Sequence, residues 1–428
     1  MKQLSGTRGL QSGVVNMLVL VFPMAAVVVE HAASGILALL TLMGIGAFFA
    51  RGKQIELSRA EKNTMLVFAA YFFVTAAFMV IHGPLLHTYQ PEWQLGHELR
   101  MLAFAPVFLL FLKADLKTDV FWYGITGGAI VNGLYACVFI YLQAKSRAVG
   151  AYNPIVLGDA AMALSFMSLA GLQFFENKHR ALVFIPLAAA ALGLTAVFLS
   201  GTRGALIAGP FLLLVFLVQL GSHPRPWITR AAVVSIAIIF VLAVYFMPGS
   251  SMNERIHSVI DTTVEIMIKQ KKDFAEIDHT TRARLLMWSE AAEMMHNNPW
   301  IGAGKEGYKQ TINQKAKTDP QLLKIKKYST PHNMYLTSTV AYGIFGLAIL
   351  LGLFLVPLFV LVRRIRHNIG DRDIAFAGVI LILGYMQFAV TESVFDRTVP
   401  ISIYLILTAA AMALSRNHRE PGKQEQPG

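Results

Sequence analysis

Twelve stretches of this chain are apolar over close to the ~20 residues that an α-helix needs to cross the hydrocarbon core of a bilayer. They run at roughly 12–30, 33–50, 63–82, 98–112, 118–143, 154–175, 181–200, 204–220, 229–247, 333–362, 373–391 and 398–415. In lipid every backbone N–H and C=O must be paired inside the structure, so runs of this length are helices. Composition agrees: 55% of the 428 residues are hydrophobic and 14% are charged, against roughly 25% charged in a soluble domain. The expected fold class is therefore an all-α polytopic membrane protein of about twelve transmembrane helices. Residues 1–30 open with basic residues and an apolar run, as a signal peptide does. That run is longer than a usual signal core and a second span follows at once, so it reads as an uncleaved first helix. The single cysteine, Cys137, excludes a disulfide framework or a thiolate metal site within one chain.

Orientation follows from Lys and Arg in the short loops and at the span ends. With a cytoplasmic N-terminus, 19 basic residues fall on the cytoplasmic side, among them Arg51, Lys113, Arg180, Arg363 and Arg372. Only Arg100, Lys145, Arg147, Arg203 and Arg397 fall in the opposite short segments. Both termini are expected in the cytoplasm. The division is residues 1–247 with spans one to nine, 248–331 as one large outward-facing loop, 332–415 with spans ten to twelve, and 416–428 as a cytoplasmic tail. Much of the formal net charge of +12 then reflects this inside bias, and no nucleic-acid partner is implied.

The large loop has the pattern of folded structure. "TTRARLLMWSEAAEMMHNN" (280–298) begins on Thr280 and Thr281 as N-cap candidates and places Leu285, Trp288, Ala291, Ala292 and Met295 at helical spacing. "NNPWIGAGKEGY" (297–308) then breaks the helix with Pro and Gly. A folded loop of this size on a multispan protein is where function concentrates.

Three positions stand out. The apolar stretch 181–220 is long enough for two spans and carries one charge near its centre, so Gly201-Thr202-Arg203-Gly204 is the turn between them. An arginine on the outer side, between glycines that bare the backbone, suits an anion; a snorkelling span-end arginine is the bland reading. Arg284 shares the expected apolar face with Trp288, Ala291 and Met295, whereas Arg282 points toward Ser289, Glu293 and His296. A guanidinium on a packing face needs a partner: a phosphate gripped by two hydrogen bonds, or a buried carboxylate such as Glu290 or Asp396. His332, in "STPHNMYLTSTVAYGIFG" (329–346), begins a span at the membrane surface. It is either a capping and packing residue or a base, with Asn333 available to cap the helix or hold the ring tautomer.

Other patterns carry less. "GAGKEG" (302–307) matches G-x-G-x-x-G, yet no strand precedes it and the outer face offers no dinucleotide pool. "DRD" (371–373) has an Asp-x-Asp shape but lies in a cytoplasmic loop among arginines and reads as a solvated turn. No His/Cys cluster has zinc spacing, so neither a metal nor a cofactor is expected.

His332-Asn333, nine residues, then Gly343-x-x-Gly346 resembles the signature of O-antigen ligases and the related O-antigen polymerases. "SGTRGA" (200–205) is similar to the arginine turn of that superfamily, and 284–308 to its Arg-x-x-x-Trp segment with a following Pro-x-x-Gly-x-Gly turn. The resemblance implies a metal-independent, GT-C-like glycosyltransferase of the bacterial inner membrane, with one large helical periplasmic loop. Its donor would be a glycan on undecaprenyl diphosphate and its acceptor a lipid A–core sugar, with membrane lipids around both. His332 would be the base, and Arg203, Arg284, Arg282, Asn333 and Tyr335 the contacts to diphosphate and substrate. A polymerase or a protein O-oligosaccharyltransferase would use the same residues on another acceptor. A transporter or flippase fits less well, because transporters place charges at mid-membrane between repeats.

Overall fold

The computed structural model describes residues 2–49, 55–85, 95–143, 147–221 and 279–416, and among these every regular element is a helix. Six helices are long and apolar enough to cross a membrane: Ala32–Phe49, Arg59–Gly83, Thr118–Gln143, Arg180–Ser200, Met334–Arg366 and Arg372–Thr391. A seventh span arises if Pro154–Ala170 and Leu172–Lys178, bent by 46°, are taken together. Gln11–Ala25, Arg203–Gln219 and Thr398–Leu414 are apolar but shorter. The chain is a multi-pass membrane protein. The span expected at 229–247, the loop residues 248–278 and the tail from 417 lie outside the described residues.

Burial sorts the helices into an inner and an outer set. Every residue from Val399 to Leu414 is buried, and so is nearly all of Pro154–Ala170. These interior helices read as continuous apolar runs because protein surrounds them. Ala32–Phe49 instead buries the stripe Ala33, Leu37, Leu40, Gly44 and Ala47 and exposes Leu39, Leu42, Ile45 and Phe48. The buried stripe faces other helices and the exposed one suits lipid.

Helices in lipid gain nothing from hiding apolar surface against each other, so close backbone approach through small residues supplies contact. A Cβ on Gly44 would lie 2.3 Å from the Pro106 carbonyl oxygen, and one on Gly133 would lie 2.4 Å from that of Leu192. One end of the bundle is tied by a buried ion pair. Arg364 bonds Glu61 Oε1 at 2.8 Å and Ser415 Oγ at 2.8 Å, joining three helices.

The sequence reads 333–362 as one uninterrupted span, but the structure breaks it. Gly343 has φ 61° and ψ −153° inside the Met334–Arg366 helix, a region open essentially to glycine alone. The loop answers the break. The Val340 carbonyl accepts the Ala303 N–H (2.7 Å), that of Ala341 accepts the Gly304 N–H (3.1 Å), and the Ile344 N–H donates to Pro299 O (2.9 Å). A Cβ on Gly343 would stand 2.0 Å from the Trp300 carbonyl oxygen. The glycines of "GAGKEG" thus serve backbone docking, with Gly302 and Gly304 at φ 72° and 82°.

Gly343→Ala is expected to lower the unfolding temperature in detergent. The strained backbone alone costs on the order of 1–3 kcal/mol, and the Trp300 carbonyl must also move. Gly46→Ala, where an added Cβ meets nothing within 4 Å, should leave the unfolding temperature unchanged or slightly raised.

Candidate active site

His332 is held off the helix it precedes. Its φ is +50°, a left-handed conformation uncommon for a residue with a side chain. Asn333 returns to extended backbone and its side chain accepts the Leu336 N–H at 3.1 Å, capping Met334–Arg366. Pro331 is fixed from the loop side, where the Trp288 indole N–H donates to the Pro331 carbonyl at 3.0 Å. The Tyr328 ring stands edge-on to the imidazole with centroids 5.1 Å apart. The side chain keeps 22% of its surface exposed, so the ring is both anchored and reachable.

The anchor is Glu392. His332 Nδ1 lies 2.9 Å from Glu392 Oε1. A carboxylate accepts only, so Nδ1 carries a proton, and Nε2 is the nitrogen from which a neutral ring would present its lone pair. Glu392 Oε1 also accepts the Ser393 N–H at 3.2 Å and lies 3.5 Å from Arg397 Nη2. Burial pushes this carboxyl upward, but the hydrogen bond and charge of His332, with Arg397 and Ser393, hold it below the ordinary glutamate value. A hydroxyl chain runs beside it: Thr337 Oγ1 meets Ser393 Oγ at 2.9 Å, which meets Thr330 Oγ1 at 3.2 Å.

The arginine turn reaches the same place. Gly201 ends Phe184–Ser200 in the left-handed region, with φ 60° and ψ 30°. Arg147 clamps it, Nε donating to Ser200 O at 2.8 Å and Nη2 to Gly201 O at 3.3 Å. Thr202 Oγ1 donates to Pro154 O at 2.9 Å. Gly158 packs on Thr202 so closely that a Cβ there would lie 2.6 Å from its hydroxyl oxygen. A Cβ on Gly204 would lie 2.1 Å from Thr391 Oγ1. Arg203, half-buried, therefore sits between the helix of Asp159 and the strand of chain that carries Glu392.

Arg284, half-buried on His279–Asn297, completes the cluster. Asp159 is within electrostatic reach of Arg284, Glu392 and Arg397. The helix itself is rotated from the expected face. Its buried side is Ala283, Met287, Ala291 and Met294, while Ala292 is exposed, because it packs against Tyr308 and Ile312 as well as Val340. Arg284 flanks that side and Arg282 is turned further from it. Glu290, one expected partner of Arg284, pairs with Lys315 at 2.8 Å. Asp396, the other, is buried beside Lys305, Glu98, Glu392 and Arg397; burial pushes its carboxyl up to about 6. Tyr335 turns into the bundle, its hydroxyl donating to Met386 O at 2.9 Å and its ring beside Phe354. Of the first-half residues, His82 bonds the Ile301 carbonyl at 2.8 Å, and Glu98 pairs with Lys305 at 2.6 Å.

The sequence reading missed Glu392 and Asp159. Asp159 is the one charge in an apolar span, a signal that marks function by default. Glu392, at the exit of an apolar helix, carries no local sign that it pairs with a histidine 60 residues away. The "DRD" aspartates are used locally: Asp371 Oδ1 caps Arg372–Thr391 by accepting the Ile374 N–H at 3.0 Å, and Asp373 accepts from Gln219 at 3.1 Å.

The molecule is thus a multi-pass membrane protein whose helix ends and loop converge on a His–Glu pair flanked by arginines. Residues 188–351, the stretch that holds Arg203, Arg284, His332, Gly343 and Gly346, match the family model described as O-antigen ligase. An uncharacterized protein of Haemophilus influenzae is 23% identical over 389 residues, covering 89% of this chain and 92% of the relative.

Because the Glu392 carboxyl lies below its ordinary value, it favours the folded state above the normal glutamate range, and that contribution disappears as pH falls through the lowered value. Glu392→Gln is expected to unfold more easily than wild type at pH 7, by about 1–3 kcal/mol. Thermal melts in detergent from pH 7 down to pH 3 should show the two proteins converging at the acid end.

Proposed function

We propose that this protein is a glycosyltransferase that moves a glycan from undecaprenyl diphosphate to a lipid A–core sugar, at the periplasmic face of the bacterial inner membrane. The fold would be GT-C-like, with both termini cytoplasmic and residues 248–331 periplasmic. The observation that carries the reading is the His332–Glu392 pair at 2.9 Å, with Arg397 3.5 Å from the same carboxylate and Asp159 within electrostatic reach of Glu392, Arg397 and Arg284.

His332 Nε2 takes the proton from the acceptor hydroxyl. The freed oxygen attacks the anomeric carbon on the face opposite the diphosphate, and the carbon–oxygen bond to the diphosphate breaks with its electron pair leaving on the lipid carrier. The configuration inverts. Glu392 holds the imidazole tautomer and stabilises the imidazolium as it forms, as the carboxylate of a Ser-His-Asp triad does. Arg203 and Arg284 hold the diphosphate and meet the charge that grows on it, a role for fixed donors in a site sheltered from bulk water. Arg282 contributes at the edge of the site. Asn333 fixes the cap that presents the imidazole, and Tyr335 fixes the helix behind it. Diphosphate leaves readily without an acidic carboxylate, and with the positive charge at the leaving group supplied by Arg203 and Arg284 the reaction is taken as metal-independent.

The family match supports the ligase and polymerase class as a whole, and a polymerase or a protein O-oligosaccharyltransferase is the alternative that uses the same donor. The loop is net basic, 13 Lys/Arg against 10 Asp/Glu over 248–331, which suits an acceptor with phosphorylated core sugars. In a null strain, full-length polysaccharide left on undecaprenyl diphosphate identifies a ligase, and single repeats on lipid A–core a polymerase.

Arg203→Ala, Arg284→Ala and His332→Ala should each cut transfer by at least ~10²–10³-fold while inserting normally. The assay is reconstitution with lipid-linked donor and lipid A–core in the presence of a chelator. Near-normal transfer by His332→Ala would exclude it as the base.

A further inference from the structure

A cavity of about 260 Å³ opens beside the loop, away from the His332–Glu392 pair. His82, Asn298, Gln310, Thr311 and Gln314 line it together with residues 301–303, and among the described residues none of the lining is Asp, Glu, Lys or Arg. That is unusual in a chain of net charge +12 and beside a loop rich in lysine. The helix Gly307–Lys315 explains how it is kept neutral. Tyr308 and Ile312 turn into the loop core, and Lys315 is drawn to Glu290 and Glu293 at 2.8 and 2.6 Å. Gln310, Thr311 and Gln314 are left on the cavity side.

An amide side chain donates and accepts from one end, which matches the paired donor and acceptor character of a sugar hydroxyl. A phosphate would call for cations. The cavity is also rigidly related to the reacting centre. His82 Nε2 donates to the Ile301 carbonyl at 2.8 Å, and the Ala303 and Gly304 N–H groups donate to Val340 and Ala341 on the helix that His332 precedes. Gly304 then lines a smaller cavity with Pro331 and Thr337. Ala303 of the larger cavity is thus joined directly to Gly304 of the smaller one, which Pro331 also lines.

We propose that this cavity is a subsite for a neutral sugar residue of a glycan substrate, holding the chain beside the reacting ring. The inference rests on the glycosyl-transfer reading for its role, though its binding is measured independently of transfer. The sugar could belong to the donor glycan or to the acceptor core, and two probes separate them: the oligosaccharide hydrolysed from the lipid-linked donor, and the core oligosaccharide freed of lipid A.

Binding to the full-length protein in detergent is followed by saturation-transfer NMR and calorimetry. Gln310→Leu with Gln314→Leu removes two hydrogen-bonding ends at similar volume and is expected to weaken one probe about tenfold or more. Gln314→Leu alone, at an exposed position, should give a smaller loss of the same probe, and Gly46→Ala, where an added Cβ meets nothing within 4 Å, should leave binding intact. Wild-type affinity for both probes in the double and single variants, or no binding of either probe by the wild type, overturns the subsite. Oligosaccharide binding that is lost in the variants, in a wild-type protein that transfers no glycan, supports the subsite and overturns the transfer reading.

Discussion

A buried backbone that leaves the helical path must find new partners for its N–H and C=O groups, because neither solvent nor lipid can supply them there. Gly343 is where this chain meets that constraint, and the loop segment 299–304 is how it is satisfied. The exchange of hydrogen bonds with Val340, Ala341 and Ile344 makes the loop a structural part of the helix. A loop tied in this way cannot drift from the bundle. Trp288 can therefore grip the Pro331 carbonyl, and the left-handed turn at His332 is held from both sides.

From that tie the electrostatics follow. The Asp159 helix, the arginine turn, the loop helix and the connection after Thr391 each bring one or two charged groups to the same region. Acidic and basic groups alternate there: Glu392 lies between the His332 imidazole and Arg397, and Asp159 within reach of Arg284 and Arg397. Arginines beside carboxylates in a half-buried site are oriented before any substrate arrives, and little reorganisation is left for the reaction. A second group, Lys305 with Glu98 and the buried Asp396, links the loop to the first half of the chain.

How far the sequence reaches is clear at particular residues. Arg203, Arg284 and His332 stand out because each breaks a local rule: a charge in an apolar run, a guanidinium near a packing face, an imidazole at a span start. Glu392 and Asp159 required spatial partners to be recognised, and no spacing along the chain encodes those. The buried face of His279–Asn297 was misplaced for a similar reason. Apolar residues lie nearly all round that helix, so the neighbours, and not the periodicity, choose which side is covered.

By itself, the sequence determined that the chain is a bundle of membrane helices, since runs of apolar residues this long admit no other solution in lipid. It also determined which residues were out of place in such a bundle. Only the tertiary structure decided that the span beginning at Met334 is broken at Gly343, that the loop fills the break, and that His332 meets Glu392. Those outcomes depend on contacts between segments far apart in the chain, whose energies no local window contains.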